Sequence, residues 1–192
     1  MGLHSYLLGK GFTDFEGFSQ QLPQQVEDLA KCVSNDAIKT MLEIGFNAGH
    51  SAEVFLATNP NLHLTSYDLK AHDYTATGKE FIDVTYPGRH TIIYGDSMIT
   101  VREDKNTYDA FFIDGGHEYK CANADVRNCY RLANHGSLVI VDDVVSPTNQ
   151  QEWTMGPSRV WSEVLQEGLV KQIFAAEYAQ GRGMVVGYYQ KK

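Results

Sequence analysis

The sequence predicts an α/β domain built on a mostly parallel sheet, with one reversed strand near the edge formed by the C-terminus. Three observations predict it. Short apolar runs alternate with amphipathic stretches along most of the chain, the pattern of a parallel sheet flanked by helices. Two of these runs, Tyr108–Asp114 and Ser137–Asp142, are almost continuously apolar, as strands buried on both faces should be. The last two strand-like runs, about Val170–Ala176 and Gly183–Tyr189, are joined by a short segment holding Gly181 and Gly183. A parallel crossover needs about a dozen residues or more, so this pair should form an antiparallel hairpin.

Each element follows in order. The first strand is Met41–Gly45, followed by a helix from about Gly49 to Ala57. The second strand is about Leu62–Asp68. A helix near Lys79–Tyr86 leads to the third strand, about His90–Tyr94. Ser97–Glu103 suits a short helix with Ser97 as its cap, because a serine hydroxyl can accept from a free first-turn amide. After the fourth strand, Tyr108–Asp114, a helix from about Glu118 to Leu132 ends before Gly136, which can close it. The fifth strand is Ser137–Asp142, and Arg159–Glu167 reads as helix. Residues 1–36 stand apart as an N-terminal helical or lid segment, helical from about Gln24 to Cys32 and rich in aromatics before it (Tyr6, Phe12, Phe15, Phe18). Residues 37–192 form the core of a single domain.

The 192 residues carry 16 basic and 24 acidic side chains, a formal net charge of −8. That balance argues against a nucleic-acid partner gripped by a general basic surface. No apolar run approaches the ~20 residues of a membrane span. The N-terminal stretch Met1–Lys10 lacks the apolar core of a signal peptide. Cys32, Cys121 and Cys129 form no disulfide framework; Cys121 and Cys129, about two helical turns apart on one face, are expected to be buried thiols, in keeping with a reducing cytoplasm.

The chemistry should sit at the carboxyl ends of the strands, where open α/β sheets bind ligands. Strand one runs into Glu43-Ile44-Gly45-Phe46-Asn47-Ala48-Gly49-His50-Ser51 and strand two into Asp68-Leu69. Strand three is followed by Gly95-Asp96-Ser97, strand four by Asp114-Gly115-Gly116-His117, and strand five by Asp142-Asp143. Carboxylates crowded together are costly without a counterion, so a cation is expected at this edge.

The first loop differs from the dinucleotide fingerprint, whose second glycine lets backbone approach a pyrophosphate. Asn47 takes that place, and the loop reads Gly45-x-x-x-Gly49. A nucleoside without a diphosphate tolerates that side chain. Asp68 lies about 20 residues on, where an acidic group can hold the ribose hydroxyls. An NAD-dependent oxidoreductase is disfavoured by the same asparagine.

On these residues the chain resembles the class I S-adenosylmethionine-dependent methyltransferases, over roughly Met41–Tyr189. The stretches Glu-Ile-Gly-Phe-Asn-Ala-Gly-His-Ser, Phe-Ile-Asp-Gly-Gly-His-Glu-Tyr and Val-Asp-Asp-Val look most like the catechol O-methyltransferase-like and macrolide-sugar O-methyltransferase branches. The resemblance implies a three-layer Rossmann-like fold with strand order 3-2-1-4-5-7-6. It implies S-adenosyl-L-methionine as cofactor, with Glu43 and the Gly45–Gly49 loop, Phe46 and Asn47 included, facing its methionine part. Ser51 would lie near the cofactor carboxylate. Asp68 would bind the ribose, with Leu69 in the same cofactor-binding set, and Asp96 and Ser97 would flank the adenine. Asp114, Asp142 and Asp143 fall where those branches place divalent-metal ligands, Asp114 also bordering the cofactor.

Mg²⁺ suits such a site, since it prefers carboxylate oxygens and waters and leaves room for substrate oxygens. A hydroxyl bound there loses its proton more easily. His117 is a candidate general base, because its unperturbed pKa is near neutrality. Catechol O-methyltransferases carry a lysine at the matching position, whereas the macrolide-sugar branch uses histidine near it as metal ligand or base. His50, His63, His72, His90 and His135 show no partner in sequence and are expected to be structural or exposed. The N-terminal aromatics are candidates for a lid or for core, and Trp153 and Trp161 for a pocket wall or core.

The expected function is metal-assisted O-methylation of a small hydroxylated molecule, with a homodimer as a candidate assembly. The alternatives are metal-independent methyl transfer to nitrogen or to a macromolecule, and a catalytically silent cofactor-binding subunit.

Overall fold

The strands form where β-branched and aromatic residues run together, and the helices cover both faces of the sheet they make. The computed structural model describes residues 1–191. In chain order the elements are α1 (Leu3–Gly9), α2 (Pro23–Val33), β1 (Thr40–Ile44), α3 (His50–Thr58), β2 (His63–Asp68), α4 (Tyr74–Thr85) and β3 (His90–Tyr94). They continue as α5 (Ser97–Glu103), β4 (Tyr108–Ile113), α6 (Tyr119–Leu132), β5 (Ala133–Asp142), α7 (Met155–Gln166), β6 (Val170–Glu177) and β7 (Gly183–Tyr189). All seven strands form one sheet of order β3-β2-β1-β4-β5-β7-β6. The pairs β1–β2, β1–β4, β2–β3 and β4–β5 are parallel, while β7 runs antiparallel to both β5 and β6. The terminal hairpin and the strand order match the expectation.

Alternation along the strands divides the core between the two faces. Leu42, Ile44, Phe111, Val139 and Val141 pack on one side with Val126, Cys129, Trp161 and Tyr189. Met41, Leu64, Phe112 and Ile140 pack on the other with Leu29, Phe55 and Ile82. Tyr189 closes the first layer by donating its hydroxyl to the Val126 carbonyl at 2.9 Å.

Several boundaries differ from the sequence reading, each for a local reason. α4 begins at Tyr74, not near Lys79, because its first turn is buried and Gly78 lies against Ala48, where a Cβ would meet the carbonyl oxygen at 2.0 Å. α7 begins at Met155 rather than Arg159, with Pro157 in the first turn where a missing N–H is tolerated. The cap of α5 is Asp96, not Ser97: its carboxylate accepts from the Met98 amide at 2.9 Å. Gly136 does not close α6. The chain turns extended at Ala133, and Gly136 (φ 83°) lies where β5 shifts register against β4. α1, unforeseen in the aromatic N-terminal stretch, is anchored by Leu3 and Leu7, one turn apart and fully buried.

Candidate active site

The first loop is built by backbone constraint. Gly45 has φ 93°, and a Cβ there would stand 1.9 Å from the Asp114 carbonyl oxygen. Only glycine lets the ends of β1 and β4 approach so closely. Asn47 adopts the left-handed region at φ 53°, which asparagine tolerates. Its amide donates to Asp68 Oδ2 at 2.8 Å, and the Lys70 amide donates to Asp68 Oδ1 at 2.6 Å. Gly49, at φ 93°, lies over the Phe46 ring and opens α3. That ring faces inward, 1% exposed, and stacks on His90 at 5.0 Å. Leu69 points the other way, into solvent.

Glu43 lies beneath the loop. It alternates with Leu42 and Ile44, so its side chain meets α3 on the opposite face. It is fully buried, accepting from Ser51 Oγ and Ser66 Oγ at 2.5 Å each. Ser66 also meets His90 Nε2 at 2.9 Å. Burial pushes the Glu43 carboxyl up to about 7 against the pull of the two serines. Burial pulls His90 down to about 4. The structure thus joins Glu43 and Ser51 to each other.

Asp96 and Ser97 stand at the start of α5, both half-buried. Asp125 of α6 lies nearby and was not singled out in sequence. It is fully buried, and its Oδ2 sits 2.8 Å from where a Gly115 Cβ would be. Burial raises its carboxyl to about 6. The available signal was an acid on the apolar stripe of Ala122, Val126 and Cys129.

At the ends of β4 and β5, Asp114, His117 and Asp143 bring one ligand atom each to within 4.8 Å of one another. His117 Nε2 stands 3.0 Å from Asp143 Oδ2. α7 holds this corner in place: a Cβ at Gly156 would meet the His117 carbonyl oxygen at 2.0 Å. The hydrogen bond that His117 donates to the Asp143 carboxylate raises the His117 pKa. Burial, then the neighbouring Asp142 and Asp143, raise that of Asp114 well above its ordinary value. Asp143 adopts φ 56°, and its Oδ1 is buried without a partner. An orphaned carboxylate oxygen beside a second carboxylate and an imidazole fits a small divalent cation.

Asp142 is not part of that group. Its Oδ1 accepts from Gln25 Nε2 at 2.8 Å and its Oδ2 from Arg182 Nη2 at 3.3 Å. The groups that come together are thus Asp114, His117 and Asp143, whereas Asp142, expected beside them, already has a cationic partner.

The N-terminal aromatics pack over the first loop. Phe18 stacks on His50 at 4.3 Å, and Asn47 Nδ2 donates to the Glu16 carbonyl at 2.7 Å. His50 also meets His4 at 3.2 Å, and His72 pairs with Glu16 at 2.7 Å. Trp161 is core, with Nε1 donating to Gln172 at 2.6 Å, while Trp153 is exposed. Among the described residues, the cysteines are free and no helix is long and apolar enough to cross a membrane.

A parallel sheet with a reversed seventh strand, and a glycine loop tied to an acidic strand end, define a Rossmann-like methyltransferase fold. A family model described as a methyltransferase domain matches residues 42–144, more than half of the chain, and the chain belongs to that family. Solved structures carry the same fold. An O-methyltransferase from Bacillus cereus in complex with SAH is 17% identical, with TM-score 0.74, over 98% of this chain and 89% of that one. TomG of Streptomyces achromogenes, an O-methyltransferase of tomaymycin synthesis in complex with SAM, is 16% identical, with TM-score 0.71, over 98% and 88%. The cofactor-bound protein Rv0187 from MTB is 15% identical, with TM-score 0.80, over 99% and 90%. A comparison with curated proteins finds no match.

Proposed function

We propose that this methyltransferase uses S-adenosyl-L-methionine to methylate a hydroxyl of a small acceptor, assisted by a divalent cation. The observation that carries the reading is the Asp114–His117–Asp143 group beside the glycine loop, with its orphaned Asp143 oxygen. The SAH and SAM complexes of the structural neighbours support the choice of cofactor.

The sulfonium already carries an activated methyl group, so the protein's task is orientation and a deprotonated nucleophile. Asp68, its orientation set by the Asn47 and Lys70 amides, is suited to the ribose hydroxyls. Gly45 keeps the loop low enough for the methionine part to lie across it. Asp96 and Ser97 border the base. Asp114 and Asp143 would hold the cation beside His117, and the cation when bound lowers the pKa of an acceptor hydroxyl. His117, exposed on one side and hydrogen-bonded to Asp143 on the other, can take the acceptor proton.

Titration calorimetry with SAH, with and without Mg²⁺, tests both halves. Micromolar SAH binding, and turnover abolished by EDTA and restored by Mg²⁺, is the expected result. Turnover indifferent to EDTA would move the chemistry to metal-free transfer. No affinity for SAH would remove the reading altogether.

A further inference from the structure

Asp142 and Asp143 are chain neighbours at the end of one strand, yet they face different partners. Asp143 has an oxygen with no partner. Asp142 is fully buried in its side chain, between Gln25 of α2 and Arg182 of the turn before β7. The same guanidinium reaches a third element, donating through Nη1 to the Phe18 carbonyl at 3.2 Å. Two residues earlier in that segment, Asn47 of the first loop holds the Glu16 carbonyl. The N-terminal segment is thus fastened at one end to the glycine loop and at the other to the β5 carboxylate.

The choice between the two aspartates follows from charge. A cation that drew Asp142 would strip Arg182 of its anion, leave a guanidinium nearly buried beside a second positive charge, and free the Phe18 carbonyl. An unpaired buried charge is strongly destabilising. Asp143 loses nothing by turning its free oxygen to a cation. A guanidinium suits the bridging task because its donors are fixed in a planar fork, whereas an ammonium is a point charge.

We propose that Arg182 is a positioning residue: it withholds Asp142 from the cation and uses that carboxylate to latch the N-terminal segment across the cofactor loop. The withheld-ligand half rests on the cation reading above, and the latch half does not.

The test uses the full-length protein with SAH present, Mn²⁺ followed by electron paramagnetic resonance, and amide hydrogen exchange over residues 12–22. Asp142→Asn should keep Mn²⁺ affinity within about threefold of wild type, whereas Asp143→Asn should weaken it by more than about tenfold. Arg182→Met should speed exchange in residues 12–22 and SAH dissociation, by about tenfold each, with the central strands unchanged. Arg182→Lys, which keeps the charge and loses the fork, should leave Mn²⁺ affinity intact and still speed that exchange, so the latch stays testable if the methionine variant does not fold. Equal loss of Mn²⁺ affinity in the Asp142 and Asp143 variants overturns the withheld ligand. Unchanged exchange in both Arg182 variants overturns the latch. Wild-type protein that binds no Mn²⁺ removes the cation reading and the withheld-ligand half with it, while the exchange result still decides the latch.

Discussion

The Asn47 amide donates to Asp68 Oδ2 across 2.8 Å, so the left-handed residue of the first loop is fastened to the carboxylate that ends β2. Loop shape and the proposed ribose contact therefore depend on one side chain. Asp68→Ala frees two amides and removes that contact. A hydrogen bond to a charged group contributes about 1.5–3 kcal/mol, so SAH affinity should fall by at least about tenfold in calorimetry. Unchanged affinity would take Asp68 out of the cofactor site.

Gly45 and Gly88 both have positive φ, at 93° and 73°, but differ in surroundings. Gly88→Ala meets open space and should cost about 1 kcal/mol of backbone strain. Gly45→Ala also drives a Cβ into the Asp114 backbone, and should cost about 3 kcal/mol or more. Urea midpoints of the two variants compare them directly. Equal destabilisation would mean that the β1 and β4 ends can move apart.

Glu43 makes stability depend on pH. Its folded pKa is raised from 4.5 to about 7, so its favourable contribution is complete below the unfolded value and is lost as pH rises through 7. Glu43→Gln removes that loss. From pH 5 to pH 8 the variant should gain roughly 3 kcal/mol on wild type in denaturant unfolding. His90, lowered to about 4, acts in the opposite direction, its contribution being lost as pH falls from 6.5 through 4. Parallel stability curves for wild type and Glu43→Gln would show that the carboxylate is ionised throughout.

His117 pairs with Asp143, and neither is among the residues proposed to hold the cofactor. His117→Ala should lower kcat by about 10²–10⁴-fold, the usual range for a lost general base, with SAH affinity retained. Paired steady-state kinetics and calorimetry separate the two. A fall in SAH affinity as large as the fall in kcat would assign His117 to binding.

Some elements were legible because their signal is local. β4 and β5 are buried on both faces and read as apolar runs. The terminal hairpin followed from the shortness of its link. The starts of α4 and α7 were not legible, because they are set by Gly78 against Ala48 and Gly156 against His117, contacts between segments far apart in sequence. In the site, Asp68, Asp114, His117 and Asp143 stand at strand ends, where the fold brings ligand-binding groups together. Asp125 was missed, since an acid within a helix carries no sign of its burial partners.

The sequence by itself determined the class of the sheet, its reversed strand and the acidic edge, because strand burial and turn length are written in consecutive residues. Only the tertiary structure decided which carboxylates face the cleft. Strand alternation turns Glu43 under the loop toward Ser51. Gln25 and Arg182, 117 and 40 residues away from Asp142, claim both of its oxygens, while Asp143 keeps an Oδ1 without a partner. Two adjacent aspartates are chemically identical along the chain, and their roles diverge only when folding gives one of them a cation to hold.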